Sequence, residues 1–376
     1  MSGAGTVSAG DPPETPAVAP SAVPAATAPT NGASPSRPLA SAATTALDLR
    51  LPDGGLDEAV RAGLAQVEGR LREAVAQADR LADDASRHLV VAGGKRVRPM
   101  LTLIAGHLGD PGRPEILEAA VVVELTHLAT LYHDDVMDSA PLRRGAPSAH
   151  AVWGNTVAIL TGDLLFARAS RVVSGLGVEA VRLQAETFER LCLGQLHETV
   201  GPGPDDDPVE HYLQVLADKT GSLIATSARF GAMFAGCDAE VLDVLADYGE
   251  RAGVAFQLAD DVIDLASDGA TSGKTPGTDL REHVPTLPVL LLRRHVERTG
   301  DAASRELLEV LDGDLSDDDV LADAVRRLGA HPATAQARDE AVRWARAAVD
   351  ALASLPASAA RDALVAYAEA VVTRTA

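Results

Sequence analysis

An all-α fold follows from three features of the sequence. Hydrophobic residues make up 46% of the 376 positions but aromatics only 3%, so the core must be built from Ala, Val and Leu. That mixture suits close helix packing better than a sheet. Apolar residues recur at spacings of three and four, as in Leu56, Val60, Leu64, Val67, Leu71 and Val75, which makes one apolar helix face. No run alternates convincingly at period two.

The same pattern predicts helices over 115–138, 151–174, 179–200, 209–235, 239–266 and 284–297, and another from about Asp339 to Val372. Short pieces rich in Gly, Pro and Asp separate them, notably Gly93-Gly94, Ser139-Ala140-Pro141, Gly201 to Pro208 and Ser267 to Pro285. None has the length or composition of an interdomain linker, so residues 49–376 read as one helical domain. Residues 1–48 are dominated by Ala, Pro, Ser, Thr and Gly without apolar periodicity, and read as a disordered tail.

A formal net charge of -21 argues against a nucleic-acid partner, whose phosphates are bound by clustered Lys and Arg. Small anionic substrates remain open, provided that local cations or metal ions overcome the overall field. Cys192 and Cys237 are the two cysteines and lack metal-site spacing, which fits a reduced cytoplasm. No uninterrupted apolar run reaches the ~20 residues of a transmembrane segment.

Two motifs of the form DDxxD carry the chemistry: Asp134, Asp135 and Asp138, then Asp260, Asp261 and Asp264. On a helix, residues i and i+4 share a face, so Asp134 with Asp138 and Asp260 with Asp264 present paired carboxylates. Paired like charges repel, and a hard divalent cation such as magnesium, shared with substrate phosphate, offsets this. One such motif would ordinarily be a solvated acidic face. Each of these two lies in an otherwise apolar stretch, where charge needs a partner.

Cations gather nearby. Lys95, Arg96 and Arg98 follow Gly93-Gly94, and Arg143-Arg144-Gly145 follows the first acidic motif by a short turn. Guanidinium forks and an ammonium suit phosphate oxygens. Either could also be a basic helix cap or solvated surface. His127 lies seven residues, close to two turns, before Asp134 and shares its face. A satisfied core histidine is the ordinary alternative.

In order and spacing, GGKRVRP (93–99), HDDVMD (133–138), RRG (143–145), GD (162–163), KT (219–220), FQLADDVID (256–264), GK (273–274) and TLP (286–288) resemble the trans-type isoprenyl diphosphate synthases. The resemblance implies an antiparallel helix bundle around a central cavity, usually a homodimer. It implies that Asp134, Asp135, Asp138, Asp260 and Asp264 bind magnesium, three ions with substrate bound. Lys95, Arg98, His127 and Arg144 would hold isopentenyl diphosphate. Arg143, Lys219, Thr220, Gln257 and Lys274 would contact the allylic diphosphate or its metals. The implied reaction ionises the allylic carbon–oxygen bond, adds the isopentenyl double bond to the carbocation and loses a proton.

The growing chain would descend along the helix before Asp134. Thr130 and Val123 share the Asp134 face, and the resemblance adds Ala129 as a gate. Small residues there imply a long all-trans polyprenyl product, as used for quinone side chains. A short-chain farnesyl or geranylgeranyl diphosphate synthase is the alternative. A class I terpene cyclase and a non-catalytic subunit are more remote, since neither needs two complete aspartate motifs beside an isopentenyl site.

Overall fold

The computed structural model describes Met1, residues 50–266 and residues 276–373. Lys274 and the tail over 2–48 lie outside the described residues. Residues 43–376 form one compact unit.

Helices α1 (Gly54–Val75), α2 (Arg80–Val91), α3 (Val97–Gly106) and α4 (Glu115–Met137) open the bundle. A two-residue hairpin, β1 (Leu142–Arg143) with β2 (Ala146–Pro147), leads to α5 (Ala149–Trp153), α6 (Asn155–Ser174) and α7 (Val178–Val200). Then follow α8 (Pro208–Leu216), a π-helical turn at Ala217–Gly221, α9 (Ser222–Phe234) and α10 (Ala239–Ala266). The chain ends in α11 (Thr278–Arg281), α12 (Leu287–Thr299), α13 (Ala302–Leu311), α14 (Asp318–Gly329), α15 (Pro332–Ala351) and α16 (Ala359–Thr373).

The all-α expectation holds. Asp53, Asp79, Asp207, Asp301 and Asp317 each accept backbone N–H groups as helix N-caps, meeting donors that a helix start leaves unpaired. Three expected helices divide further. The 151–174 run breaks at Gly154, whose positive φ of 84° ends α5. The 209–235 run contains the π turn, and the C-terminal run splits before Pro356 into α15 and α16. α3 escaped periodicity because it is buried all round from Pro99 to Gly106.

α4 is the central helix, long and apolar enough by length and composition to cross a membrane. Its apolarity has a simpler cause here: α3, α6 and α9 pack around it and bury Ile116 to Leu128 on several sides. α9 also packs along α10, so one helix spaces the two that carry the acidic motifs. Small residues set how closely α10 approaches α9 and the π turn: a Cβ at Gly249 would come within 2.4 Å of Ala225 Cα. A Cβ at Gly253 would come within 2.6 Å of Gly221 Cα, so the backbones touch.

Gly253→Val therefore forces α10 away from the π turn and destabilises the fold by about 1–3 kcal/mol. Chemical denaturation reads this as a lower midpoint. An unchanged midpoint would mean that the helices separate without cost.

Candidate active site

The two acidic motifs occupy the C-terminal ends of α4 and α10, where helix dipoles already place partial negative charge. Between them lies a cavity of about 1020 Å³. Asp134 and Asp260 both line it, as do Lys95, Arg98, His127, Thr130, Arg143, Arg144, Lys219, Thr220 and Gln257. Two carboxylates 126 positions apart in the sequence (260 − 134) are thus brought to one space.

Not every residue singled out in the sequence reaches that space. Asp135 is fully buried behind the wall, where Arg143 Nε donates to its Oδ1 at 2.5 Å and its Oδ2 lacks a partner. Asp138 is the exposed C-cap of α4. Asp264 accepts from Asp279 N at 3.4 Å through Oδ2. Ala129 and Val123 are buried in packed apolar clusters and do not line the cavity. Tyr132, the bulky side chain just after Ala129 and Thr130, also turns away, donating to Ala85 O of α2.

Burial leaves the lining charges unsettled. The Asp134 carboxyl is pushed up to about 6 by burial, with Lys219 opposing and Asp138 adding to the shift. The Arg98 guanidinium is pushed down by burial, against the pull of Glu124, Tyr367 and Asp134, and its Nε has no hydrogen-bond partner. His127 is driven well below the usual histidine range by burial and by Arg98, Arg144, Arg96 and Arg143, so its imidazole is neutral. A site in which both signs resist their charged forms is one prepared for a charged ligand.

The structure also shows how the basic residues are arranged, and adds contributors without a sequence signal. Arg96 takes a left-handed φ of 48° at the start of α3 and lies buried between Glu124 (2.7 Å) and Glu68. It lines the cavity beside Lys95 and Arg98 but has both its carboxylate partners within the protein. Arg144 and Gly145 both have positive φ, the pattern of a two-residue type I′ hairpin turn. The turn lays the Arg144 guanidinium on Gly94, where a Cβ would meet Cζ at 2.7 Å, and Arg144 donates to Leu89 O and Gly93 O. The two basic motifs are therefore one assembly. Glu282 is pushed up by burial and by Asp138 and Asp264, so it feels both acidic motifs at once. Phe166 and Phe188 line the cavity with ring centroids 4.2 Å apart.

The donors at the acidic rim are carboxylate oxygens, the chemistry of a hard cation. Among the described residues no three His, Cys, Asp or Glu side chains converge tightly enough to hold a metal ion alone. An ion bound at this rim would complete its shell with water and phosphate oxygen, which is magnesium's habit.

An apolar-walled cavity rimmed by carboxylates and guanidinium groups suits a ligand with a polyanionic head and a hydrocarbon tail. The chain belongs to the polyprenyl synthetase family, whose family model matches residues 79–328, and is a trans-prenyltransferase. It is 46% identical over 333 residues to a nonaprenyl diphosphate synthase of Mycobacterium tuberculosis, covering 88% of this chain and 98% of that protein. A dimethylallyltranstransferase of the same organism is 39% identical over 306 residues, with 81% and 92% covered. The crystal structure of a geranylgeranyl pyrophosphate synthase from Corynebacterium glutamicum, complexed with calcium and isoprenyl diphosphate, superposes with a TM-score of 0.77 at 42% identity, covering 87% of this chain and 99% of that one.

The roles of the neighbouring arginines separate by experiment. Arg96→Met strands the buried Glu124 carboxylate and costs about 3–5 kcal/mol of stability. Arg98→Met removes an unsatisfied buried donor and leaves stability unchanged or higher. Urea denaturation of the two variants checks this, and equal losses would contradict the division.

Proposed function

We propose that the chain joins isopentenyl diphosphate to an allylic diphosphate, head to tail, and repeats the addition to a long all-trans polyprenyl diphosphate. The observation that carries this reading is one cavity lined both by Asp134 and Asp260 and by Lys95, Arg98 and Arg144. The two sets suit two diphosphates held differently, one through metal and one by direct cation contact.

In this reading Asp134, Asp138 and Asp260 hold magnesium ions, three with substrate bound, with Asp135 and Asp264 in support. When bound, magnesium neutralises charge developing on the leaving diphosphate. Lys95, Arg98 and Arg144 grip isopentenyl diphosphate, and the neutral imidazole of His127 offers it a hydrogen bond. Arg143, oriented by Asp135, joins Lys219, Thr220, Gln257 and Lys274 on the allylic diphosphate. Lys219 pairs with Glu198, a contact that an incoming diphosphate would have to replace. Leu131, Phe166, Phe188, Leu191 and Ile224 give the cavity an apolar wall that keeps water from the carbocation.

We also read residues 49–376 as the catalytic domain and the working form as a cytoplasmic homodimer. Ile159 and Leu160 on α6 and Leu193, Leu196 and Val200 on α7 are large exposed apolar side chains of the kind that a partner covers. Cys192 and Cys237 are both free thiols, as in a reducing compartment.

A short-chain product is the second reading, favoured by the Phe166–Phe188 pair across the cavity. Labelled isopentenyl diphosphate, followed by dephosphorylation and chromatography, separates the two. The long-chain reading expects products beyond geranylgeranyl, and further lengthening in Phe188→Ala. Accumulation of geranylgeranyl or shorter products alone would overturn it.

A further inference from the structure

The π turn at Ala217–Gly221 carries Lys219 and Thr220 into the cavity, yet its neighbour Asp218 faces away from it. A π turn spreads the backbone over five residues, with Ser222 N donating to Ala217 O, and such turns hold only where the surroundings impose them. Here the surroundings are specific. On α7, Arg190 Nε donates to Asp218 Oδ1 at 2.7 Å, and its two terminal nitrogens donate to the Glu250 carboxylate of α10 at 3.0 and 3.2 Å. Gln214 donates to the other Asp218 oxygen at 2.8 Å, and Ser222 Oγ donates to Asp218 O at 2.6 Å.

Backbone packing closes the same joint. A Cβ at Gly194 of α7 would come within 2.7 Å of Lys219 N, and one at Gly221 would come within 3.0 Å of Glu250 O. The turn is thus pressed between α7 and α10, and one guanidinium ties all three together. Arg190 itself does not line the cavity.

From this we infer that Arg190, through Asp218 and Glu250, is a positioning residue that sets the aim of Lys219 and Thr220 on the allylic diphosphate. The inference rests on the assignment of Lys219 and Thr220 made under Proposed function. A planar fork that spans two carboxylates on different elements fixes direction as well as distance, which an ammonium does not. Arg190 is about one-third exposed, so screening weakens its contribution to stability while its geometry persists.

The test compares Arg190→Gln, Arg190→Lys, Lys219→Ala and the Arg190→Gln/Lys219→Ala double variant by KM for each substrate, kcat and Tm. We expect Arg190→Gln to raise KM for the allylic diphosphate at least about tenfold, as small misplacements of a binding group do. KM for isopentenyl diphosphate and Tm stay near wild type, and Arg190→Lys recovers only part of the loss. In the Lys219→Ala background, Arg190→Gln adds less than about twofold, because most of its effect passes through Lys219, with only the Thr220 share remaining. Additive losses, equal losses on both substrates, or full recovery by Arg190→Lys would overturn the inference. So would a silent Arg190→Gln beside an impaired Lys219→Ala, which leaves the proposed function standing. A silent Lys219→Ala would instead remove the allylic assignment on which the inference rests. Should Arg190→Gln lower Tm, Asp218→Asn, which keeps the side-chain shape, is read by the same substrate split.

Discussion

Charged groups that burial pushes toward their neutral forms, gathered around one cavity, are the condition on which the site depends. Burial raises the Asp134 carboxyl to about 6 and lowers the Arg98 guanidinium, so each wall resists its own charged form. The two line one cavity and form no ion pair among the described residues, although Asp134 acts on Arg98 through space. Had they been placed in contact, they would have neutralised each other and left little for a substrate to gain. Separation preserves the electrostatic free energy that a metal-bound diphosphate and a bare diphosphate can each release on binding.

The scaffold that keeps them apart is made of helices packed at small residues. α9 lies against both α4 and α10, and Gly221 and Gly253 bring backbone onto backbone at the joint with the π turn. Arg96 performs the complementary task at the basic wall: it is held by Glu124 and Glu68 beside Lys95 and Arg98, which line the same cavity. The hairpin carrying Arg144 folds back onto Gly94 and joins two loops that are far apart in sequence.

Much of this was legible in the residues. The helical class and the major spans follow from periodicity, the gathering of Asp134, Asp260, Lys95, Arg98 and His127 was expected from motif chemistry and resemblance together, and that of Lys219 from the resemblance alone. What escaped has physical reasons. α3 is apolar on every side, so it shows no periodic stripe. The π turn reads as continuous helix because one extra residue per turn barely disturbs the pattern. Asp135 sits in a motif of ligand type, yet its place on the wheel turns it inward to Arg143. Phe166 and Phe188 belong to helices whose sequence distance from Asp134 hides their place on the cavity wall.

The central claim is that carboxylates from both helices act on one metal-bound diphosphate. Calorimetric binding of an unreactive allylic thiodiphosphate with magnesium to Asp134→Ala, Asp260→Ala and the double variant tests it directly. Each single substitution should lose most of the magnesium-dependent affinity, and the double should lose little more. Independent, additive losses would contradict a shared site.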